Sequence, residues 1–169
     1  NAIELMPVQE FDGNNSWGYG THAYLAMDKD YGTRNDYKMF IDECHKRGMA
    51  VILDVVYNHA TGGHPYAAMY WDGTNNKTAS NNPWFNADPT HPYNVYHQWN
   101  HSNPMVREYV KRNLEYLIDE YKVDGFRFDL SKGFTQNSNL IETYNQERVG
   151  YLKEYRSHIN SVDANAVMI

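Results

Sequence analysis

The chain has 169 residues, 41 % of them hydrophobic and 21 % charged, which allows one domain with a sizeable core and excludes bulk disorder. Its net charge of −6 disfavours nucleic acid or an anionic membrane as a partner. The single cysteine, Cys44, excludes an internal disulfide, and no apolar run approaches the roughly 20 residues that cross a bilayer.

Both ends of the chain read as strands. Residues 1–8 are already strand-like and lack an initiator methionine, and residues 166–169 form an apolar run that stops with the sequence. Natural domains seldom start or stop inside an apolar strand, because an unpaired strand exposes its backbone and its apolar side chains. We therefore expect an internal piece of a longer protein, with any targeting signal upstream.

The first half of the chain predicts a strand, a loop, a helix and a second strand. Residues 9–34 are loop-like, with several Gly, Asn and Asp residues as turn formers. A helix should begin with Asn35 or Asp36 as its cap, since apolar residues follow at helical spacing. Residues 49–53 form an unbroken apolar run, which is typical of a strand buried on both faces in a parallel sheet.

The second half predicts a long loop followed by two helix–strand units. Residues 60–103 are rich in Asn, Pro, His and Gly, and a connection of this length within a compact domain is usually functional. Asn103 and Pro104 suit the cap and the first position of a helix. The later patterns predict a strand at residues 123–130, a helix at residues 144–160 with Val149, Leu152 and Ile159 facing inward, and a strand at residues 166–169.

This order of elements predicts an α/β fold with a parallel sheet. Short turns join each helix to the next strand and long loops follow the strands, so the elaborated face lies at the strand C-termini, as in a (β/α)8 TIM barrel. An open doubly wound sheet is the alternative, but no glycine-rich phosphate-binding turn follows any strand. We expect barrel segments at residues 1–59 and 104–169, separated by a loop-rich insertion at residues 60–103.

Two charged residues stand at the end of the strand at residues 123–130. Alternation along the strand points Arg127 and Asp129 to the same side at its C-terminal end. A guanidinium so close holds a carboxylate ionised and oriented, as a nucleophile requires. A purely structural Arg–Asp pair is the alternative interpretation of this spacing.

A second polar group follows the preceding strand. Residues 54–59 read Asp-Val-Val-Tyr-Asn-His, which places Asp54 and His59 around the strand end. Taken singly, the aspartate can cap a turn and the histidine can be an ordinary loop residue. Their position on the strand next to the one with Asp129 favours a shared active site, because reactive side chains of parallel α/β enzymes lie past the strand C-termini.

Aromatic residues are unusually frequent. The chain has 15 Tyr and 4 Trp, many of them in loop-like stretches, including Trp17, Tyr93 and Tyr96. Flat rings with a polar edge suit the apolar faces of sugar rings, and they also fill ordinary cores and interfaces. Taken together, these residues favour a carbohydrate-binding surface.

Residues 54–59 and residues 125–129, Gly-Phe-Arg-Phe-Asp, resemble the first two signature regions of the α-amylase family, glycoside hydrolase family thirteen. The Trp-Gly-Tyr-Gly turn at residues 17–20, Tyr24 and the Tyr-Gly-Thr stretch at residues 31–33 resemble the segment after that family's second barrel strand. The resemblance covers the whole chain. It implies a partial TIM barrel, from about the second barrel strand to the start of the fifth, with an insertion after the third.

The resemblance also implies a role for each matching residue. Asp129 would be the nucleophile that attacks the anomeric carbon of an α-glucan such as starch or glycogen, and Arg127 would orient it. Substrate contacts would come from Tyr19, Asp54, His59 and Lys132. Asn58 matches a position that often ligates structural calcium, which prefers oxygen ligands, and residues of the insertion would complete that site.

The implied chemistry needs a second carboxyl group. In retaining enzymes it lies about 5 to 5.5 Å from the nucleophile and protonates the leaving oxygen. In the family this acid is a glutamate at the end of the fifth barrel strand, and the sequence ends at Val167-Met168-Ile169, before such a residue. We therefore expect an inactive fragment of a retaining hydrolase of α-1,4 bonds. The resemblance is compatible with a secreted or periplasmic location.

Three other functions stay open at this point. A branching, debranching or transglycosylating member of the family would share Asp129 and differ in whether water or a sugar hydroxyl resolves the intermediate. A non-catalytic carbohydrate-binding relative would typically lack the nucleophile or its arginine, and both are present. The eight histidines suggest a metal-binding module, but no pair has a tight ligand spacing.

Overall fold

The computed structural model describes every residue from Asn1 to Ile169. In chain order its strands are β1 (Ala2–Leu5), β2 (Gln9–Phe11), β3 (Thr21–Met27), β4 (Ala50–Val55), β5 (His59–Ala60), β6 (Trp71–Asp72), β7 (Lys77–Thr78), β8 (His97–Gln98), β9 (Gly125–Phe128) and β10 (Val167–Met168). Its helices are α1 (Arg34–Lys46), α2 (Pro65–Ala68), α3 (Pro104–Tyr121) and α4 (Gln146–Val162). No helix is long and apolar enough to cross a membrane.

A four-stranded sheet forms the centre of the molecule. Strands β1, β4, β9 and β10 lie side by side in that order, and every pair is parallel. Strand β4 lies inside the sheet, and residues 51–55 are buried, as its unbroken apolar run predicts. The parallel α/β architecture is therefore confirmed, whereas the bounds of the three segments and the place of each strand in a closed barrel stay predictions.

The cap of helix α1 differs from the prediction. Thr33 is the N-cap: its hydroxyl accepts from the Asp36 backbone N–H (3.3 Å), and the Asp36 carboxylate accepts from the Thr33 backbone N–H (2.7 Å). This reciprocal pair is a capping box, which makes Asp36 the third helical residue rather than the cap. Helix α3 begins as predicted, with the Asn103 side chain accepting from Met105 N–H (2.9 Å) and Pro104 at the first position.

The core lies between the sheet and the helices. Its buried side chains come from α1, the central strands, α3 and α4, and include Ile41, Leu53, Leu114, Phe126 and Ile159. On α4 the buried residues are Tyr155 and Ile159, whereas Val149 and Leu152 are half-buried. The inward orientation predicted for Leu152 and Ile159 is confirmed, since Leu152 packs against the core, whereas Val149 lies outside the core cluster. Positions 152, 155 and 159 share one face of the helix, and the Tyr155 ring on that face stacks on Phe128 (6.2 Å between centroids).

Residues 9–34 contain more structure than the loop that was predicted. Strands β2 and β3 form an antiparallel pair, and its register shifts twice within three residues. Irregular pairing of this kind breaks the strict alternation that identifies a strand in sequence. In residues 60–103 the elements are short, since β5 pairs with β8 and β6 pairs with β7 through two residues each.

Candidate active site

Arg127 joins two carboxylates at the carboxyl end of the central sheet. Its Nη1 donates to Asp54 Oδ1 (3.0 Å) and Oδ2 (2.9 Å) and to Asp129 Oδ1 (2.8 Å). The pairing of β4 with β9 places Asp54 directly opposite Arg127, and alternation turns Asp129 to the same side. One guanidinium therefore holds both carboxylates through charge-assisted hydrogen bonds.

The two carboxylates differ in their access to solvent. The side chain of Asp54 is 4 % exposed and that of Asp129 is 22 % exposed. Burial raises the pKa of Asp54, against hydrogen bonds from Arg127 and Tyr19 that lower it. Burial lowers the pKa of Arg127, but its bonds to both carboxylates outweigh this effect and leave the pKa raised. Asp129 is thus the carboxylate that a bound molecule can reach, whereas Asp54 is buried and holds Arg127 in place.

Tyr19 closes the other side of Asp54. Its hydroxyl donates to Asp54 Oδ2 (2.8 Å), and burial together with this bond raises the pKa of Tyr19 to about 12. The hydroxyl therefore stays a donor at neutral pH. The preceding residue, Gly18, has φ +89°, and a side chain there would overlap the Pro7 carbonyl oxygen, so this turn requires glycine.

His59 is tied to the Tyr19 turn. Its Nε2 lies 2.9 Å from the Tyr19 carbonyl oxygen, and its Nδ1 lies 3.0 Å from Asn58 Nδ2. Because a carbonyl only accepts, Nε2 carries the proton and Nδ1 accepts from Asn58. Burial lowers the pKa of His59, which favours this neutral form. Strand β4 and the residues after it thereby fix the position of Tyr19.

Lys132 lies in the turn after Asp129. Leu130 has φ +46°, so the chain reverses sharply before the short helical turn Ser131–Phe134. Lys132 Nζ pairs with Glu142 (3.0 Å) and lies 4.2 Å from the centroid of the Tyr93 ring. The contact with Tyr93 connects the segment after β9 to the insertion, whereas Glu142 lies within that same segment. The predicted contact of Lys132 with substrate stays a prediction.

Gln98 connects the insertion to the segment after Asp129 through hydrogen bonds. It is buried, and its Nε2 donates to the Gly133 carbonyl oxygen (2.8 Å). Its Oε1 accepts from Thr90 N–H (2.7 Å) and Asn86 Nδ2 (3.0 Å). Sequence reasoning missed Gln98, His91 and Asn94, because residues 60–103 show no periodicity and only the length of that loop indicated a function. It also missed Glu142, which lies in the loop-like stretch before α4.

Both polar atoms of the Asn58 side chain have protein partners. Its Oδ1 accepts from His91 Nε2 (3.0 Å), and its Nδ2 donates to Asn94 Oδ1 (3.0 Å) as well as to His59. No group of three or more His, Cys, Asp or Glu side chains in the chain could hold a metal ion. In this arrangement the Asn58 oxygen accepts one hydrogen bond, from His91. Calcium at Asn58 stays a prediction of the resemblance, and the chemistry of Asp129 does not depend on it.

The comparisons with known proteins all indicate the same protein family. The family model that matches residues 1–102 is that of the α-amylase catalytic domain. The malto-oligosyltrehalose trehalohydrolase of Saccharolobus solfataricus is 35 % identical over 81 % of this chain, and the 1,4-alpha-glucan branching enzyme of Bacillus caldolyticus is 30 % identical over 99 % of it. The chain spans 23 % and 24 % of the length of these two relatives.

Solved structures show the same fold. The cyclic alpha-maltosyl-(1→6)-maltose hydrolase of Arthrobacter globiformis superposes with a TM-score of 0.75 at 26 % identity, over 99 % of this chain and 37 % of that one. The resemblance to this family is thus supported over almost the whole chain. The chain belongs to the α-amylase family, glycoside hydrolase family thirteen, and corresponds to part of that family's catalytic domain.

Proposed function

We propose that this chain is a segment of a longer protein, called the parent protein below. The parent protein cleaves α-glucans with retention of configuration, and Asp129 is its nucleophile. The observation that carries the proposal is the Arg127 bridge, which encloses Asp54 and leaves Asp129 accessible. In a retaining mechanism the nucleophile bonds to the anomeric carbon as the leaving oxygen is protonated, and water then hydrolyses the glycosyl–enzyme intermediate.

The other site residues support this reaction in distinct ways. Arg127 orients Asp129, and the enclosed Asp54 keeps Arg127 in place. Tyr19 would stack under the sugar ring in the cleavage subsite. His59 would contact the sugar by exchanging one of its ring-nitrogen bonds, to the Tyr19 carbonyl or to Asn58, for a bond to a sugar hydroxyl. Lys132 would contact the leaving-group side once it separates from Glu142. The general acid would come from sequence after Ile169.

A second candidate is glycosyl transfer by the same intermediate. The relative from Bacillus caldolyticus is a branching enzyme by name, and the match covers 99 % of this chain. Asp129 would form the same intermediate, and a sugar hydroxyl would resolve it instead of water. Product analysis distinguishes the two reactions, since transfer creates new linkages without a matching release of reducing ends.

The test is Asp129→Asn in the parent protein. Removal of the nucleophile should lower the rate of reducing-end release from soluble starch by about 10³-fold or more, because the covalent route is lost. Asp119→Asn, on the exposed side of α3, is the matched control and should leave the rate unchanged. Equal activity of the wild type and the Asp129→Asn variant would contradict the proposal, and new branches without reducing-end release would favour transfer.

A further inference from the structure

Tyr96 is an exposed aromatic residue with an unfavourable backbone conformation. Its φ is +55° and it is 56 % exposed. The left-handed region is unfavourable for a residue that carries a Cβ, and a ring in solvent contributes little burial to offset that effect. Strained residues of this kind persist only where their surroundings impose the conformation, and they cluster at functional sites.

The backbone around Tyr96 is held from both sides. Asn94 Nδ2 donates to the Tyr96 carbonyl oxygen (3.0 Å), and Asn94 Oδ1 accepts from Asn58 Nδ2 (3.0 Å). Two residues further along, the buried Gln98 donates to the Gly133 carbonyl oxygen (2.8 Å). One anchor thus lies at the end of β4 and the other in the turn after Asp129. The position of Tyr96 is therefore set by the same two strand ends that carry the site.

The Tyr96 ring lies against the Tyr19–His59 side of the site. Its centroid is 5.7 Å from that of His59, with 39° between the planes. A Cβ on Gly20, the residue after Tyr19, would be 3.3 Å from the Tyr96 hydroxyl oxygen and 3.5 Å from its Cζ. One edge of the ring thus packs beside the site, and more than half of the residue remains open to solvent.

We propose that Tyr96 is a substrate-binding residue that forms an aromatic wall of the cleft and stacks on a glucosyl unit of the bound α-glucan. This inference rests on the proposed function. A fixed ring with a polar edge suits the apolar face of a pyranose, and its prior ordering limits the entropy lost on binding. The neighbouring exposed ring, Tyr93, has the Lys132 ammonium 4.2 Å from its centroid, whereas no cation lies over the Tyr96 ring.

The test measures binding of maltoheptaose by calorimetry, with Asp129→Asn in the parent protein so that the sugar is not consumed. Adding Tyr96→Ala should raise Kd about tenfold, which corresponds to about 1.4 kcal/mol. Tyr96→Phe keeps the ring and should change Kd by less than about twofold. Tyr116→Ala, on helix α3, is the control for loss of a tyrosine elsewhere and should leave Kd unchanged.

Tyr96→Gly separates a binding role from a structural one. It removes the ring but relieves the positive φ, so Kd should rise as in Tyr96→Ala while the thermal midpoint stays equal or increases. A lower midpoint would assign Tyr96 to structure and overturn the inference. Equal Kd values for the proteins with and without the Tyr96 ring would overturn this inference and leave the proposed function standing. No binding of maltoheptaose when Tyr96 is present would overturn it together with the proposed function.

Discussion

At the scale of single residues, the site depends on one guanidinium with two carboxylate partners. Arg127 Nη1 lies 2.9 Å from Asp54 Oδ2 and 2.8 Å from Asp129 Oδ1. Arginine presents several N–H donors in a rigid planar group, whereas lysine offers a compact ammonium on a flexible chain. All bonds to Asp54 and Asp129 come from Nη1, so a lysine could keep the charge and the donors, but its flexible chain would not fix one nitrogen between the two carboxylates as the planar guanidinium does.

We therefore expect Arg127→Lys in the parent protein to lower kcat on soluble starch by about 10- to 100-fold. The loss is one of orientation, since a nucleophile displaced by a fraction of an ångström attacks slowly. The matched control is Arg112→Lys, which changes an exposed pair with Glu108 on helix α3. Wild-type kcat in Arg127→Lys would show that orientation of Asp129 does not depend on the guanidinium.

At the scale of elements, the insertion and the segment after β9 are held together through Gln98. The Gln98 side-chain amide donates a hydrogen bond to the Gly133 carbonyl oxygen and accepts hydrogen bonds from Thr90 N–H and Asn86 Nδ2. Gly133 has no side chain, and a Cβ there would overlap Asn58 Oδ1 and lie 2.5 Å from Nε2 of His91 in the insertion, so the two segments can approach closely. Gln98 thereby fixes the insertion to the turn that follows Asp129.

Gln98→Ala should destabilise this contact. The backbone groups that Gln98 satisfies would be left buried without partners, so the free energy of unfolding should fall by about 1–3 kcal/mol. Urea denaturation of the parent protein measures the change. Gln146→Ala, at the exposed start of α4, should leave stability within about 0.5 kcal/mol, and a Gln98→Ala protein as stable as the wild type would contradict the role of Gln98.

At the scale of the whole molecule, the interior contains histidines that are neutral when folded. His101 is buried, with Nε2 2.7 Å from the Tyr57 carbonyl oxygen and Nδ1 2.7 Å from the Tyr155 hydroxyl. Burial lowers the pKa of His101, and also of His64, to about 4. Below the ordinary histidine pKa of about 6.5, the unfolded chain therefore binds protons that the folded chain does not.

The sign of this difference predicts loss of stability in acid. Stability rises with pH wherever the unfolded state binds more protons, so it should fall as the pH is lowered from about 6.5 to about 4, by on the order of 3 kcal/mol for His101. His101→Gln keeps a donor to the Tyr57 carbonyl and should flatten this dependence. Urea midpoints across that pH range test it, with exposed His45→Gln as the control. An equally steep decline in His101→Gln would refute the assignment.

The sheet ends on both sides in open edges. β1 and β10 each have one neighbour in the sheet, and apolar residues at these edges are exposed, including Met6 and Ile169. Unpaired edges favour association with another chain. The prediction that the 169-residue chain is inactive rests instead on the family resemblance, which implies a general acid outside these residues, and acid assistance is worth about 10²–10⁴-fold.

We expect the isolated chain to show no measurable release of reducing ends from starch and to self-associate. Activity assays and size-exclusion chromatography of the chain, with the parent protein at equal concentration as the control, measure both properties. A monomeric chain that hydrolyses starch would contradict the need for the residues that follow Ile169.

Local patterns in the sequence were sufficient to predict the central strands, the long helices and the placement of Arg127 and Asp129 at a strand end. These features depend on periodicity and on neighbours in the chain, so a stretch of a few residues reveals them. The Asn103–Pro104 start of α3 was confirmed for the same reason. The β2–β3 pair was missed because its irregular register removes the alternation that marks a strand.

The residues that meet at the end of the sheet are set by tertiary packing. The pairing of β4 with β9 brings Asp54 to Arg127 across 73 positions of the chain, and Gln98 reaches Gly133 from an insertion that has no pattern of its own. Packing also encloses Asp54 while it leaves Asp129 accessible. Such differences arise from contacts between distant segments, and burial of this kind leaves no local signal in the order of the amino acids.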